Sequence, residues 1–342
     1  MDNEFDPPVF VVGSSRSGTT LLYNILLSSG EFPLYEAETM LLDECALKYG
    51  DLSRERNYRR FMKDWLVSKQ FIRSKLEPEQ FLRDAQSHHN SYTEFLGFFM
   101  GSMAKNQGKR RWAEKTPTHI RHMAKLSEAF KNAKFIHIIR DGRDVALSRR
   151  KLGWNGVRSK DPLKQLLFSA LDWAATVEKG RRTGSYLGRN YLEIRYEDLI
   201  ADVEGALVKL SEFAKVKIDK QSMSNIAMGS LKKANSAFAE TTDGISNQAV
   251  ERWKKSLTDN ELECLNIAIG KTLREFGYDV PKSEGTNRFQ FYWKIKLMKL
   301  LYKLLISLKR IAKQKFFIGR LLPTSLELSQ TEKSRSYMTS QP

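Results

Sequence analysis

The segment Val9-Phe-Val-Val-Gly-Ser-Ser-Arg-Ser-Gly-Thr-Thr-Leu-Leu22 constrains this chain more than any other. Its four leading apolar residues read as a buried parallel strand. A glycine-bearing turn follows at 13–20, and the next residues carry the apolar spacing of a helix. A strand that turns through glycines directly into a helix aims backbone N–H groups and the positive end of the helix dipole at one point, which is a site for an anion. Such units belong to parallel sheets with helical crossovers on both faces.

The rest of the chain repeats that alternation. Apolar runs at 135–139 and 191–194 read as further buried strands, with weaker candidates at 32–35 and 111–113. Helical periodicity marks 19–27, 92–104, 120–130, 145–152, 163–182 and 199–213, and the charged, aromatic stretch 54–83 reads as a helical insertion. The expected fold is an α/β, P-loop-like, three-layer one: a mostly parallel central sheet with helices on both faces, plus a C-terminal basic amphipathic helix. Binding groups in such a sheet gather at the C-terminal ends of the strands. The expected organisation is a catalytic domain at 1–280, a linker at 281–287 (PKSEGTN lies there), a basic helical tail at 288–322 and an unstructured end at 323–342.

The spacing of 13–20 is that of a G-x-x-x-x-G-K-[ST] loop, but Thr19 occupies the lysine position. The cation that follows the β- and γ-phosphates of a nucleoside triphosphate is therefore missing. A kinase or ATPase would also want a carboxylate for magnesium, and the second strong strand ends instead at Ile139-Arg140. Arg16, inside the loop, supplies a planar bidentate cation from another direction, which suits a shorter, diphosphate-like anion.

Residues 9–22 resemble the 5'-phosphosulfate loop of sulfotransferases that use 3'-phosphoadenosine 5'-phosphosulfate (PAPS). Phe135-Ile-His-Ile-Ile-Arg-Asp-Gly-Arg-Asp-Val-Ala-Leu-Ser148 resembles their 3'-phosphate motif, Trp112-Ala-Glu-Lys-Thr-Pro117 their lysine segment, and Leu192-Glu-Ile-Arg-Tyr-Glu-Asp-Leu199 their fourth-strand segment. With a closing helix at 253–278, the likeness covers about residues 7–280 in order. It implies transfer of a sulfuryl group from PAPS to an acceptor hydroxyl. Arg16 and the N–H groups of Ser17, Gly18, Thr19 and Thr20 are then expected on the 5' end, and Arg140 and Ser148 on the 3'-phosphate. Lys115 is expected on the bridging oxygen of the departing phosphate, Tyr196 near the nucleotide and Ser236, in the polar loop 235–244, near the sulfuryl group.

The histidine base of the small-molecule cytosolic branch is replaced here by Pro117, and His119 is out of register. The chain is thus nearer the tyrosylprotein and glycan branches, in which a glutamate abstracts the proton. Glu38 matches that residue best and Glu36 is the alternative, because the distance from the loop is about one residue longer. A glutamate serves as base when burial raises its pKa toward neutrality; a carboxylate here could instead cap a helix beginning near Thr39. No metal is expected, because His119 and His122 lack a third ligand nearby. A second reading is a nucleotide- or membrane-binding module of the same fold without turnover.

Of the chain's net charge of +17, ten positive charges lie between Arg288 and Arg320, where there is no Asp or Glu, leaving seven for the rest. Such a field draws polyanions. No nucleic-acid module accompanies it, so nucleic acid is not expected as a partner. From Trp293 on, Leu297, Leu300, Leu304, Leu308 and Ile311 fall on one side of a helix, with Lys296, Lys299, Lys303, Arg310 and Lys313 on the other. An anionic membrane surface, the catalytic body and a second subunit are the partners open to that helix, and the oligomeric state is left open with them. The first ten residues lack a signal-like basic and apolar pattern, and Cys45 and Cys264 match no pairing motif. A cytoplasmic protein, peripheral on the inner membrane face where the tail binds it, is the expectation.

Overall fold

The computed structural model describes residues 6–86, 90–152, 160–219, 221, 249–281 and 288–315. Four strands, β1 Val9–Gly13, β2 Ala113–Glu114, β3 Lys134–Ile139 and β4 Tyr191–Arg195, form one parallel sheet in the order β2-β1-β3-β4. Register is set by pairs such as Phe10 with Glu114, Phe10 with Phe135 and Ile138 with Ile194. The chain leaves β1 toward β2 on one side and leaves β3 toward β4 on the other. The crevice between the C-terminal ends of β1 and β3 is therefore the topological switch point, where such sheets bind ligands.

The helices are α1 Thr19–Leu27, α2 Ala46–Tyr49 (preceded by a π-helical turn, Leu41–Cys45), α3 Glu55–Leu66, α4 Lys69–Ile72, α5 Pro78–Ala85, α6 Tyr92–Asn106, α7 Met123–Ala129, α8 Gly142–Lys151, α9 Pro162–Leu187, α10 Tyr196–Ala201, α11 Val203–Ala214, α12 Trp253–Ser256, α13 Asp259–Glu275 and α14 Arg288–Lys315. Strand alternation assigns the two faces of the sheet. Phe10, Val12 and Phe135 join a core with α3 and α6, while Val9, Val11, Ile136 and Ile138 join one with α1, α10 and α11. A third core, Ile139 with the inner faces of α8, α9, α13 and α14, covers the end of the sheet.

The departures from the expected pattern have local causes. Residues 32–35 form no strand: Phe32 and Tyr35 are buried, Pro33 has no N–H to donate, and the Leu34 N–H is taken by Gln107 Oε1 at 2.8 Å. The helix expected at 199–213 is two helices, broken at Asp202, whose carboxylate accepts from Gly205 N at 2.9 Å and caps the second one. The segment 120–130 starts as a 3₁₀ turn at Pro117–His122 before α7. Residues 54–83 are helical as expected, but their large rings do not line an open surface. Phe61, Trp65, Phe71 and Phe81 are buried against Phe95 and Phe99 of α6, with ring centroids 4.8–6.4 Å apart.

Candidate active site

Gly13 ends β1 so close to β3 that a Cβ there would stand 2.6 Å from the Ile138 carbonyl oxygen. Gly18 takes a left-handed φ of 93° beneath the Tyr196 ring, where a Cβ would come within 2.5 Å. These two constraints seat the turn. Helix α1 makes its first internal bond from Leu22 N to Gly18 O, so the amides of Gly18, Thr19, Thr20 and Leu21 are the unspent donors of its N-terminus. The Ser17 amide differs from the expectation, because it donates to Ser14 O at 3.1 Å. What Ser17 offers is its hydroxyl, which is buried and has no hydrogen-bond partner among the described residues. Thr19, in the place of a P-loop lysine, is buried and brings no cation.

The two expected phosphate motifs meet through Arg16. Its Nε donates to Ser148 Oγ on α8 at 3.0 Å, across 132 residues of sequence. Arg140, at the end of β3, donates Nη1 to the Arg16 carbonyl at 3.3 Å and donates Nη2 to Ala249 O. Its guanidinium lies 4.7 Å from the centre of the buried Tyr196 ring, and its Nε has no partner among the described residues. Burial, then Arg140, Arg252 and Arg149, push the pKa of Arg16 down, which reports cations crowded around the loop. The only acid ion-paired with Arg140 among the described residues is Asp144, 3.8 Å away, and burial pushes that carboxyl up to about 6. The salt bridge within the 140–143 turn joins Asp141 to Arg143 at 2.7 Å, with Arg143 stacked 3.6 Å from the Trp253 ring centre. Arg140 is left facing the loop.

Two arginines that the sequence reading passed over complete this wall. Arg149 donates to Ser14 Oγ at 2.7 Å and to the Ser15 carbonyl at 3.3 Å, and is itself held by Asp172 at 2.7 Å. Arg252 is a further cation beside Arg140 and Asp144. The signals were present: Arg149 follows Ser148 directly, and Arg252 precedes the Trp253 that opens the closing segment.

The other half of the site lies at the end of β2. Lys115 Nζ donates to Glu38 Oε1 at 2.7 Å, joining residues 77 apart. Glu36, by contrast, is exposed, and its carbonyl accepts from Arg73 at 2.9 Å. Glu38 is not buried as a base was expected to be; its side chain is 37% exposed and its near neighbour is the Lys115 ammonium. It caps no helix, since Met40 precedes the helical turn with no side-chain cap.

Behind this pair Glu114 is fully buried. It accepts from Thr39 Oγ1 at 2.9 Å, Thr116 N at 3.1 Å and the Thr116 hydroxyl at 2.5 Å, and pairs with His119 Nδ1 at 2.9 Å. Burial pushes this carboxyl up, but the His119 charge and hydrogen bond, with the two threonines, outweigh it and hold the pKa below the usual range. Thr39 N donates to Thr116 Oγ1 at 3.0 Å, so the network fastens the Glu38 segment to the Lys115 segment. His122 is bound to Asp43 at 3.1 Å. Among the described residues no group of three or more His, Cys, Asp or Glu could hold a metal. Ser236 and its loop lie outside the described residues.

Residues 7–220 match the Sulfotransferase family. The chain is 22% identical over 294 residues to protein-tyrosine sulfotransferase A of Caenorhabditis elegans, covering 83% of this chain and 70% of that one. It is 27% identical over 262 residues to the omega-hydroxy-beta-dihydromenaquinone-9 sulfotransferase of Mycobacterium bovis, covering 60% of this chain and 62% of that one, so it spans less than two thirds of the latter's length. Its fold matches the sulfotransferase domain of the Synechococcus PCC 7002 olefin synthase with a TM-score of 0.56 at 20% identity, over 82% of this chain and 98% of that domain. With the match covering well over half of its length, the chain belongs to the sulfotransferase family.

Proposed function

We propose that this chain transfers a sulfuryl group from PAPS to an acceptor hydroxyl and releases adenosine 3',5'-bisphosphate. The observation that carries the reading is the Arg16–Ser148 hydrogen bond, because it makes one continuous cationic surface of the two phosphate motifs. The orphaned Ser17 hydroxyl and Arg140 Nε are donors that fit phosphate oxygens, and the Gly18, Thr19 and Thr20 amides at the α1 N-terminus fit the 5' end. Thr19 in place of lysine argues for a diphosphate-like anion over a nucleoside triphosphate.

In the reaction the acceptor oxygen bonds to sulfur while the bond from sulfur to the bridging phosphate oxygen breaks. Glu38 takes the hydroxyl proton and Lys115 donates to the bridging oxygen as charge develops there, so the lysine must exchange its glutamate partner for the leaving group. Arg16 and Arg140 hold the nucleotide, which makes the transfer largely a matter of positioning and electrostatics. The acceptor class spans glycans, lipids and other hydroxyls; the two relatives are named for protein tyrosine and for a hydroxylated menaquinone derivative. Two unpaired buried thiols in separate cores, Cys45 and Cys264, support a reducing, cytoplasmic location.

The test combines binding and turnover. Calorimetry is expected to show the bisphosphate binding at least about tenfold more tightly than ATP, the worth of one charge-assisted hydrogen bond. Bisphosphate release from PAPS is expected only with a hydroxyl acceptor present, and to persist in EDTA. Equal affinity for ATP and the bisphosphate, or loss of release on chelation with recovery on adding a divalent metal, overturns the reading.

A further inference from the structure

Helix α14 has two apolar faces, and the body uses only one. Ile295, Met298 and Tyr302 recur at helical spacing and are buried in the core shared with α9 and α13. Lys299 on the same side donates to the Ile267 carbonyl at 3.2 Å, and the Tyr302 hydroxyl donates to Asp172 at 3.3 Å. These contacts fix the rotation of the helix. The opposite side then has to point away, and it is apolar: Trp293, Leu297, Leu300, Leu304 and Leu308 are each more than half exposed. Exposed lysines border this stripe, Lys294 on one flank and Lys296 and Lys303 on the other. Packing on the body has therefore not consumed the leucine face read from the sequence.

We propose that this outer face seats the protein in the interface of an anionic lipid bilayer, with α14 lying in the membrane plane. The charge on the helix selects that occupant. Between Arg288 and Arg320 there are ten cations and no carboxylate, so the rows bordering the leucines can be neutralised only by anions that the helix itself does not carry. A second copy docked through the same face would bring its own lysine rows against these with no acid between 288 and 320 to receive them, whereas anionic lipids supply the counter-charge in their headgroups and the apolar layer in their acyl chains. The 28 residues of α14 make a rod about 42 Å long at 1.5 Å per residue, suited to lying along a surface. No helix among the described residues is long and apolar enough to cross a membrane. Trp293 stands at the N-terminal end of the stripe and Tyr292 beside it is also exposed; such amphipathic rings favour a membrane–water interface.

Flotation of the full chain with phosphatidylglycerol–phosphatidylcholine vesicles, and with phosphatidylcholine vesicles alone, tests the proposal. The protein is expected to rise with the anionic vesicles at low salt and to stay behind with the neutral ones. The Leu300→Glu/Leu304→Glu variant alters only exposed positions, so bisphosphate binding is expected to be unchanged and serves as the folding control, while vesicle binding falls at least about tenfold. Lys296→Gln and Lys303→Gln are each expected to lower the partition coefficient about fivefold. Wild-type protein that remains at the bottom, or binds neutral vesicles equally well, overturns the proposal. So does a concentration-dependent dimer in sedimentation that Leu304→Glu abolishes without any vesicle binding, which would make the face a self-association surface.

Discussion

Around the phosphate loop Arg16, Arg140, Arg149 and Arg252 crowd together with Asp144 and Asp172 as the nearby carboxylates, whereas at the end of β2 the buried charges Glu114 and His119 neutralise each other. The first region is left electrically incomplete. Burial and the neighbouring guanidiniums push the pKa of Arg16 and Arg252 down, and donors such as Arg140 Nε and Ser17 Oγ lack protein partners among the described residues. The second is nearly closed: both carboxylate oxygens of Glu114 are satisfied by neighbours that also tie two chain segments together, and His119 Nε2 is left without a partner among the described residues. A region that an anion completes reports mutation as lost affinity; a region that completes itself reports it as lost stability. The partly exposed Glu38 and the buried Lys115 belong to neither class, because they are paired with each other, and damage there should appear as lost turnover.

The sharpest division comes from Glu38→Gln, which keeps the shape and removes the proton acceptor. Turnover is expected to fall by about 10²–10⁴ with bisphosphate affinity unchanged. Near-wild-type turnover in Glu38→Gln alongside a dead Glu36→Gln would move the base to Glu36. Next in size is Glu114→Gln, which strands the buried His119; unfolding by denaturant should show a loss of about 3–5 kcal/mol. If that variant instead weakens nucleotide binding at unchanged stability, the two regions are not separate.

Arg140→Ala is expected to weaken bisphosphate binding by about 1.5–3 kcal/mol in calorimetry, the scale of a lost hydrogen bond to a charged group, with little change in unfolding. The smallest effect concerns Asp144. Its folded pKa of about 6 lies above the ordinary 3.8, so the folded state binds the proton more tightly than the unfolded chain does. Stability from that proton is complete below about pH 3.8 and is lost as pH rises through about 6. Relative to Asp144→Asn, the wild type should therefore lose about 1–3 kcal/mol of unfolding free energy between pH 4 and pH 6.5, about 1.4 per pKa unit. A flat difference across that window would mean that Arg140 holds Asp144 ionised, and that the cationic region is better neutralised than the crowding of its arginines indicates.

Much of this is legible in the amino-acid sequence. The loop at 13–20 and the three strong strands carry their signals within a few residues of sequence, because glycine conformation, strand burial and helix starts are local properties. The placement of Arg140 at a strand end and of Ser148 on the next helix was legible for the same reason, and each of them bonds to Arg16. Residues 32–35 misled because apolar content says nothing about whether a ladder partner stands alongside; here a glutamine side chain takes the amide. Asp202 carried a cap signal that the apolar periodicity of 199–213 hid.

By itself, the sequence determined the strand–loop–helix unit at 9–27, the absence of the lysine that a triphosphate would need, and the concentration of positive charge after residue 287. Only the tertiary structure decided that Lys115 reaches Glu38 rather than Glu36, that Arg149 braces the loop from α8, and that α14 turns Ile295 and Tyr302 inward and its leucines outward. Each of these depends on residues 77 to 135 apart in sequence, or on which of two apolar faces meets the body. Periodicity defines faces along a helix, but their partners are chosen by packing, which compares all the surfaces of the molecule at once.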